Sequence, residues 1–286
     1  GEIKMGKLKK CLCLLIAVVF LAAVVPTVAL ANDPTPIYVS ADGSDNNSGM
    51  KESPYATLAR AAEVVNQTEG KAYTIYIMSD LKMTDSARFW NNDVSIQSDP
   101  EKLKEEGKTA FTLSRAETGF AAVIDSARGG YNPALIEIGN SGDLTLSNII
   151  LDDGHYAAYS ENSETVSGNT PYFVQVDASR TGTGEDGPGS TEVNGVDVSN
   201  HEIVQDAMIA SYDSNSTITL GTGTILQNYG GMSAVRVTGS SKLVMESGSK
   251  ICDTDTFTRS KGAAGSNGPA GAVWIQNGTV EMKSAI

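Results

Sequence analysis

The residues best equipped for chemistry are Asp152, Asp153 and His155, within the tetrapeptide Asp152-Asp153-Gly154-His155. Two carboxylates beside an imidazole can divide the roles of general acid and general base in a hydrolysis. A solvated Asp-Asp-Gly turn, closing the strand around Ile149–Leu151, reads the same residues without chemistry. An elimination on a uronic-acid polymer would instead need a base, usually a Lys or Arg. Arg128, near Asp125, and Arg236, on an outward position of its strand, are the candidates. Trp90 and Trp274 could stack on sugar rings, and Trp274 also falls on an outward position. Asp42, Asp45 and Asn47 offer oxygen ligands without the spacing of an EF-hand. Hydrogen bonding to their own loop is the better reading, with a structural calcium as the one metal left open. His201 has no evident partner, and Cys252, after Ile251, reads as a small core hydrophobe rather than a nucleophile. The Gly-rich segments 182–189 and 262–271 lack phosphate-loop spacing and read as loops.

Any such site must be held by elements that suit the composition. The chain has 286 residues, with 21 basic and 34 acidic side chains and a net charge of −13. That balance disfavours nucleic acid and anionic membrane surfaces as partners. With 40% apolar and 19% charged residues, the chain is globular rather than disordered. Aromatic residues are only 6%, while Gly numbers 29, which suits short strands and tight turns. Two His and three Cys exclude a zinc finger or a disulfide framework.

The first 31 residues read as a segment that is removed. Lys7, Lys9 and Lys10 precede an apolar run from Cys11 to Val25, and Ala29-Leu30-Ala31 supplies small residues for cleavage. The run is shorter than the ~20 residues a membrane span needs, which favours a cleaved signal peptide over an anchor. Cys11 and Cys13 lie early in the run, which argues against a lipoprotein anchor. The first Met is Met5, so residues 1–4 read as translated upstream sequence. Cleavage after Ala31 removes four Lys and one Glu, so 21 basic and 34 acidic groups become 17 and 33, net −16. Cys252 is then the only Cys, so no internal disulfide can form. The expected destination is outside the cell or on a bacterial cell surface.

Residues 32–70 read as a strand at Ile37–Ser40, a turn-rich loop and an amphipathic helix over 54–66. Ser53-Pro54 supplies a cap and a first-turn Pro, and Leu58, Ala61, Ala62 and Val65 share one face. Residues 71–286 begin with a strand at Tyr73–Met78, and a second helix-prone stretch covers Pro100–Lys108. A small module then recurs: an alternating strand, a turn with Gly, Asn or Ser, and a second alternating strand. Leu135–Ile138 leads to Leu144–Leu146, Ala234–Val237 to Leu243–Met245, and Ala272–Ile275 to Val280–Met282. Met208–Ala210 and Ile218–Leu220 form a looser copy. Ile218 aligns with Leu243 and Leu243 with Val280, so successive units should stack these side chains inward. Arg236, Trp274 and Glu281 should then face solvent. A β-sandwich is the competing fold, but it lacks such a repeat. Residues 152–171 and 179–201 read as loops bulging from one side, where binding or chemistry would sit.

Two motifs carry a resemblance. Tyr38-Val39-Ser40-x-x-Gly43-Ser44-Asp45-x-Asn47-x-Gly49, followed by Ser53-Pro54-x-x-Thr57-Leu58-x-x-Ala61, resembles the entry of right-handed parallel β-helix proteins of the pectin-lyase-like class. Gly271-Ala272-Val273-Trp274-Ile275-x-Asn277-Gly278-Thr279-Val280-x-Met282 resembles the repeats of adhesin-like surface proteins of Gram-positive bacteria. The resemblance implies an all-β, right-handed parallel β-helix solenoid with an N-terminal capping α-helix. It also implies that the repeat array continues beyond Ile286, with any cell-wall anchor in the missing part. The galacturonan hydrolases of this class use paired Asp and a Gly-His-Gly element, whereas here both Asp and the His share one tetrapeptide without the second Gly. Two function classes follow. One is a non-catalytic scaffold that displays loops to polysaccharides or host-surface glycans. The other is a polysaccharide lyase or glycoside hydrolase on acidic polysaccharides. A plain structural spacer is a third. Convergence of carboxylates and a Lys or Arg in one groove would separate them.

Overall fold

Strands in this chain are short because apolar residues alternate for only three or four positions before an Asn, Gly or Ser intervenes. The computed structural model describes residues 33–116, 134–154, 156–160, 172–175, 192–193, 196–197, 202–203, 207–212, 215–230, 233–254 and 271–283. The expected signal segment, Asp125, Arg128, His155 and His201 lie outside the described residues.

In chain order the strands begin with β1 (Thr35–Val39), β2 (Ala72–Ile77), β3 (Leu81–Met83), β4 (Ala87–Trp90) and β5 (Asp93–Ser98). Then come β6 (Phe111–Arg115), β7 (Ile136–Gly139), β8 (Leu144–Ser147) and β9 (Ile149–Asp152). Next are β10 (Tyr156–Ser160), β11 (Tyr172–Gln175), β12 (Glu192–Val193), β13 (Val196–Asp197) and β14 (Glu202–Ile203). After them come β15 (Ile209–Tyr212), β16 (Thr217–Leu220), β17 (Ile225–Gln227), β18 (Val235–Thr238) and β19 (Lys242–Met245). The last are β20 (Lys250–Ile251), β21 (Val273–Gln276) and β22 (Thr279–Met282). Two helices occur among the described residues, α1 (Leu58–Val65) and α2 (Pro100–Glu106).

Three parallel sheets hold most of these strands. The first has the order β1-β2-β5-β8-β16-β19-β22, the second β20-β17-β9-β6-β3, and the third β21-β18-β15-β7-β4. From β2 onward the chain visits the first, second and third sheets in rotation, which is how a parallel β solenoid is wound. A β-sandwich, whose sheets are antiparallel, does not fit this topology. Between β9 and β15 the chain leaves the rotation, and β11-β10-β14 and β12-β13 are antiparallel.

The core is built from columns. Tyr73, Val94, Leu144, Ile218, Leu243 and Val280 follow one another in register through the first sheet. Leu81, Leu113, Leu151, Leu226 and Ile251 do the same in the second. Ile136, Ile209 and Val235 stack in the third. Fully burying one such side chain is worth roughly 1.5–3 kcal/mol, so the columns dominate stability. The expected alignment of Ile218, Leu243 and Val280 is thus the observed register.

The turn from third sheet to first is made by a residue in the left-handed region: Asn91 (φ 57°), Asn140 (54°), Asn215 (73°), Gly239 (61°) and Asn277 (60°). Asn tolerates this conformation better than other side chains, which explains its recurrence at the corners. Between β8 and β9 a single such residue, Asn148 (φ 49°), turns the chain from first sheet to second.

Helix α1 starts at Leu58, not at Ser53-Pro54 as expected. Its cap is Thr57, whose hydroxyl accepts the Arg60 N–H at 3.1 Å. The physical reason is Tyr55, which donates its N–H to the Tyr38 carbonyl and accepts from the Ser40 N–H, so it pairs with β1 and holds this stretch extended. Leu58, Ala61, Ala62 and Val65 bury the expected face in the main core. Helix α2 is capped by Asp99, whose carboxylate accepts the N–H of Glu101 and Lys102, and Gly107 in the left-handed region ends it.

Candidate functional site

Adjacent residues of an extended strand point to opposite faces. Asp152 and Asp153 obey that rule at the end of β9. Asp152 faces outward, half-buried. Its Oδ1 accepts the Gly154 N–H at 2.9 Å, and its Oδ2 accepts the side-chain amides of Gln227 and Asn228, both at 2.9 Å. Asp153 turns inward and is fully buried. Its Oδ1 accepts Arg115 Nε at 2.5 Å, and neither side chain of this pair is exposed. The two carboxylates are therefore not brought together over a common substrate position. Each serves the stacking of coils, one on the surface and one in the core.

Arg115 went unnoticed among the sequence candidates. Its signal lies in the alternation of β6, where Phe111, Leu113 and Arg115 share the buried face. Asp153 continues the buried series Ile149, Leu151 one coil on. Register places Ser114 beside Asp152, so the next positions, Arg115 and Asp153, are neighbours.

Arg236 and Trp274 are register partners on the outward side of the third sheet. Arg236 was expected to face solvent, and it is instead only 8% exposed. Its guanidinium lies 4.3 Å from the centre of the Trp274 ring. A cation over an indole face at this distance is stabilised by about 1 kcal/mol or more. Trp274 is half-buried, with the guanidinium on one face of its ring. The same outward column runs through Arg88, Glu137 and Ala210. Glu137 is 3% exposed and pairs with Arg88, Oε2 to Nε at 3.1 Å. This face thus carries charged groups that are largely withdrawn from water. Trp90, on β4, is half-buried, and its backbone N–H donates to Asn66 Oδ1 at 3.0 Å.

The loop after β1 uses its polar residues on itself. Asp45 Oδ1 accepts the N–H of Ala56 and Thr57, and Oδ2 accepts the Thr57 hydroxyl, at 2.9–3.0 Å. Asn47 donates to the Pro54 carbonyl at 2.8 Å, and the Asp42 N–H reaches Ser40 Oγ at 3.4 Å. The two motif glycines make room for Tyr55. A Cβ on Gly43 would lie 2.4 Å from the Tyr55 carbonyl oxygen, and one on Gly49 would lie 2.3 Å from the Tyr55 ring. Gly49 also has φ 75°, which L side chains rarely adopt. Among the described residues no group of three or more His, Cys, Asp or Glu is placed to hold a metal ion. Burial, with Asp253 close by, pushes the Cys252 thiol above its usual range, so little of it is the reactive thiolate at neutral pH.

The outward side of the first sheet differs from the other two. Tyr38, Tyr76, Gln97 and Ser147 stand in one register column. Thr74, Ser95, Thr145 and Thr219 form the next. All eight are half-buried.

No protein-family model matches the chain, and neither a curated protein nor a solved structure does. Among the described residues no helix is long and apolar enough to cross a membrane.

Proposed function

We propose that the chain is a right-handed parallel β-helix of an exported bacterial surface protein, with α1 as its cap. In this reading it is a non-catalytic, adhesin-like scaffold that binds polysaccharide or host-surface glycan. One observation carries the choice over an enzyme. The candidate catalytic groups diverge: Asp152 faces outward from the second sheet, Asp153 is buried against Arg115, and Arg236 lies under Trp274 on the third sheet. General acid–base chemistry needs such groups within hydrogen-bond reach of one reacting atom. A solenoid supports either function, so the site and not the fold decides.

The rival reading is a lyase or hydrolase of acidic polysaccharides. An activity screen of the full chain on polygalacturonate and alginate, with and without calcium, separates the two. Unsaturated products are read by absorbance and new chain ends by a reducing-sugar assay. No cleavage is the expected result. Cleavage that is lost in Asp152→Asn or Arg236→Ala would establish the enzyme instead.

A further inference from the structure

Polar side chains on a sheet face either bond to one another or stay available to a ligand. On the second sheet Ser114 donates to the Leu81 carbonyl and Gln227 to Asp152, and Thr112 is the one outward hydroxyl there without a hydrogen bond among the described residues. On the third sheet the outward column is charged, with Arg88 paired to Glu137 and Arg236 against Trp274. The first sheet differs in carrying such unbonded groups in adjoining register columns. Neither the hydroxyls of Thr74, Ser95, Thr145 and Thr219 nor the side chains of Gln97 and Ser147 form a hydrogen bond among the described residues.

We propose that this two-column stripe is the glycan-binding surface and that its ligand is a neutral, extended polysaccharide. The inference rests on the scaffold reading above and gives it a location and a ligand class. Three features point the same way. First, the groups are hydroxyls and an amide, which both donate and accept and so match the hydroxyls of a sugar. Their strands are ~4.8 Å apart, so the groups recur at regular steps along the solenoid.

Second, the stripe is rigid. Its strands are held by parallel ladders on both sides from β2 to β19. The rings of Tyr38 and Tyr76 stack with centres 5.1 Å apart and planes 18° apart. That contact fixes two phenol hydroxyls side by side, again without a bond to the described protein. Groups fixed before binding lose little entropy on binding. At Gly221, next to Ser147 in the column, a Cβ would lie 2.7 Å from Ser147 Oγ, so the absent side chain keeps that hydroxyl open.

Third, the surrounding charge excludes an acidic ligand. No member of the two columns is charged. The flank carries Asp93 and Asp143, in turn bonded to the N–H of Asp143 and Thr217, and Lys51, 5.9 Å from the centre of the Tyr38 ring, is paired with Asp99 and Glu101. Toward β22 the charges are matched within the protein, Lys242 with Glu281 and Lys283 with Glu246. With a net charge of −13 behind them, Asp93 and Asp143 would repel a uronic-acid chain.

Affinity electrophoresis of the full chain in gels containing hydroxyethylcellulose, xyloglucan or galactomannan tests this, with polygalacturonate and alginate as acidic probes. Retardation by at least one neutral polymer is expected, with little by the acidic ones. Tyr76→Ala and the pair Thr145→Val with Thr219→Val should each weaken it about tenfold. Thr112→Val, on the second sheet, should leave it unchanged. A matched urea midpoint for each variant shows that it has folded, and Thr145→Lys blocks the stripe by charge and bulk should a truncation fail to fold. Binding that survives all stripe variants overturns this location and leaves the scaffold reading standing. Binding only to acidic polymers overturns the ligand class. Retardation by none of the five overturns both.

Discussion

A guanidinium and a carboxylate inside a β core are costly to desolvate, and Arg115 and Asp153 persist there as a matched pair with no exposure. Removing one member of such a pair costs the other its buried ion-pair partner, whereas replacing both can be neutral or stabilising. Asp153→Ala should therefore cost about 3–5 kcal/mol. Arg115→Met combined with Asp153→Leu should recover most of that. Urea denaturation of the three proteins measures it, and an Asp153→Ala midpoint equal to wild type would refute the structural role. The same logic separates the two neighbouring carboxylates. Asp152 keeps its solvent side and three donors, so Asp152→Asn should be much milder than Asp153→Ala.

At the scale of elements, the loop between β1 and α1 is organised around one carboxylate. Asp45 accepts three hydrogen bonds from Ala56 and Thr57, and Thr57 in turn caps α1. Removing it leaves two backbone N–H groups and a hydroxyl without their acceptor. Asp45→Ala should cost about 2–3 kcal/mol, against about 1 kcal/mol for Thr57→Ala, which loses only the cap. A calcium site would behave differently, since the wild-type melting temperature would then fall with a chelator. No such fall is expected, and a drop of several degrees on chelation would return Asp42, Asp45 and Asn47 to the role of ligands.

Most strands of the first and third sheets, though not β4 and β5, were legible because each pairs a period-2 apolar run with an Asn or Gly corner, as at Ile136–Gly139, Asn140 and Leu144–Ser147. Of the second sheet only β9 was, as the strand around Ile149–Leu151. Strands as short as Leu81–Met83 and Lys250–Ile251 carry too few residues to show a period. The start of α1 was misplaced because Tyr55 pairs with β1, a contact between residues far apart in sequence. The polar stripe was missed for the same reason. Thr74, Ser95, Thr145 and Thr219 are unremarkable singly, and only register places them side by side.

A stacked molecule also makes the worth of a residue depend on its place in the column. Each coil contacts chiefly the coils on either side, so an inward side chain in the middle is sealed twice and one at the end once. Leu146 lies mid-column, between Ile96 and Leu220, and is fully buried. Val280 occupies an equivalent inward position on β22, yet it is 38% exposed, and Met282 on the same strand is 73% exposed. Leu146→Ala should therefore cost about 2–5 kcal/mol, the range for a truncation in a sealed core. Val280→Ala should cost below about 1 kcal/mol, since much of its transfer term is already lost to water. Equal losses at the two positions in urea unfolding would mean that the last coil is covered in solution. The same strand leaves one edge of the first sheet unpaired among the described residues, while β1 at the opposite edge is bonded to residues 49–55. Val280→Ala and Leu146→Ala, measured side by side, therefore read how far each inward position is sealed by the coils stacked on it.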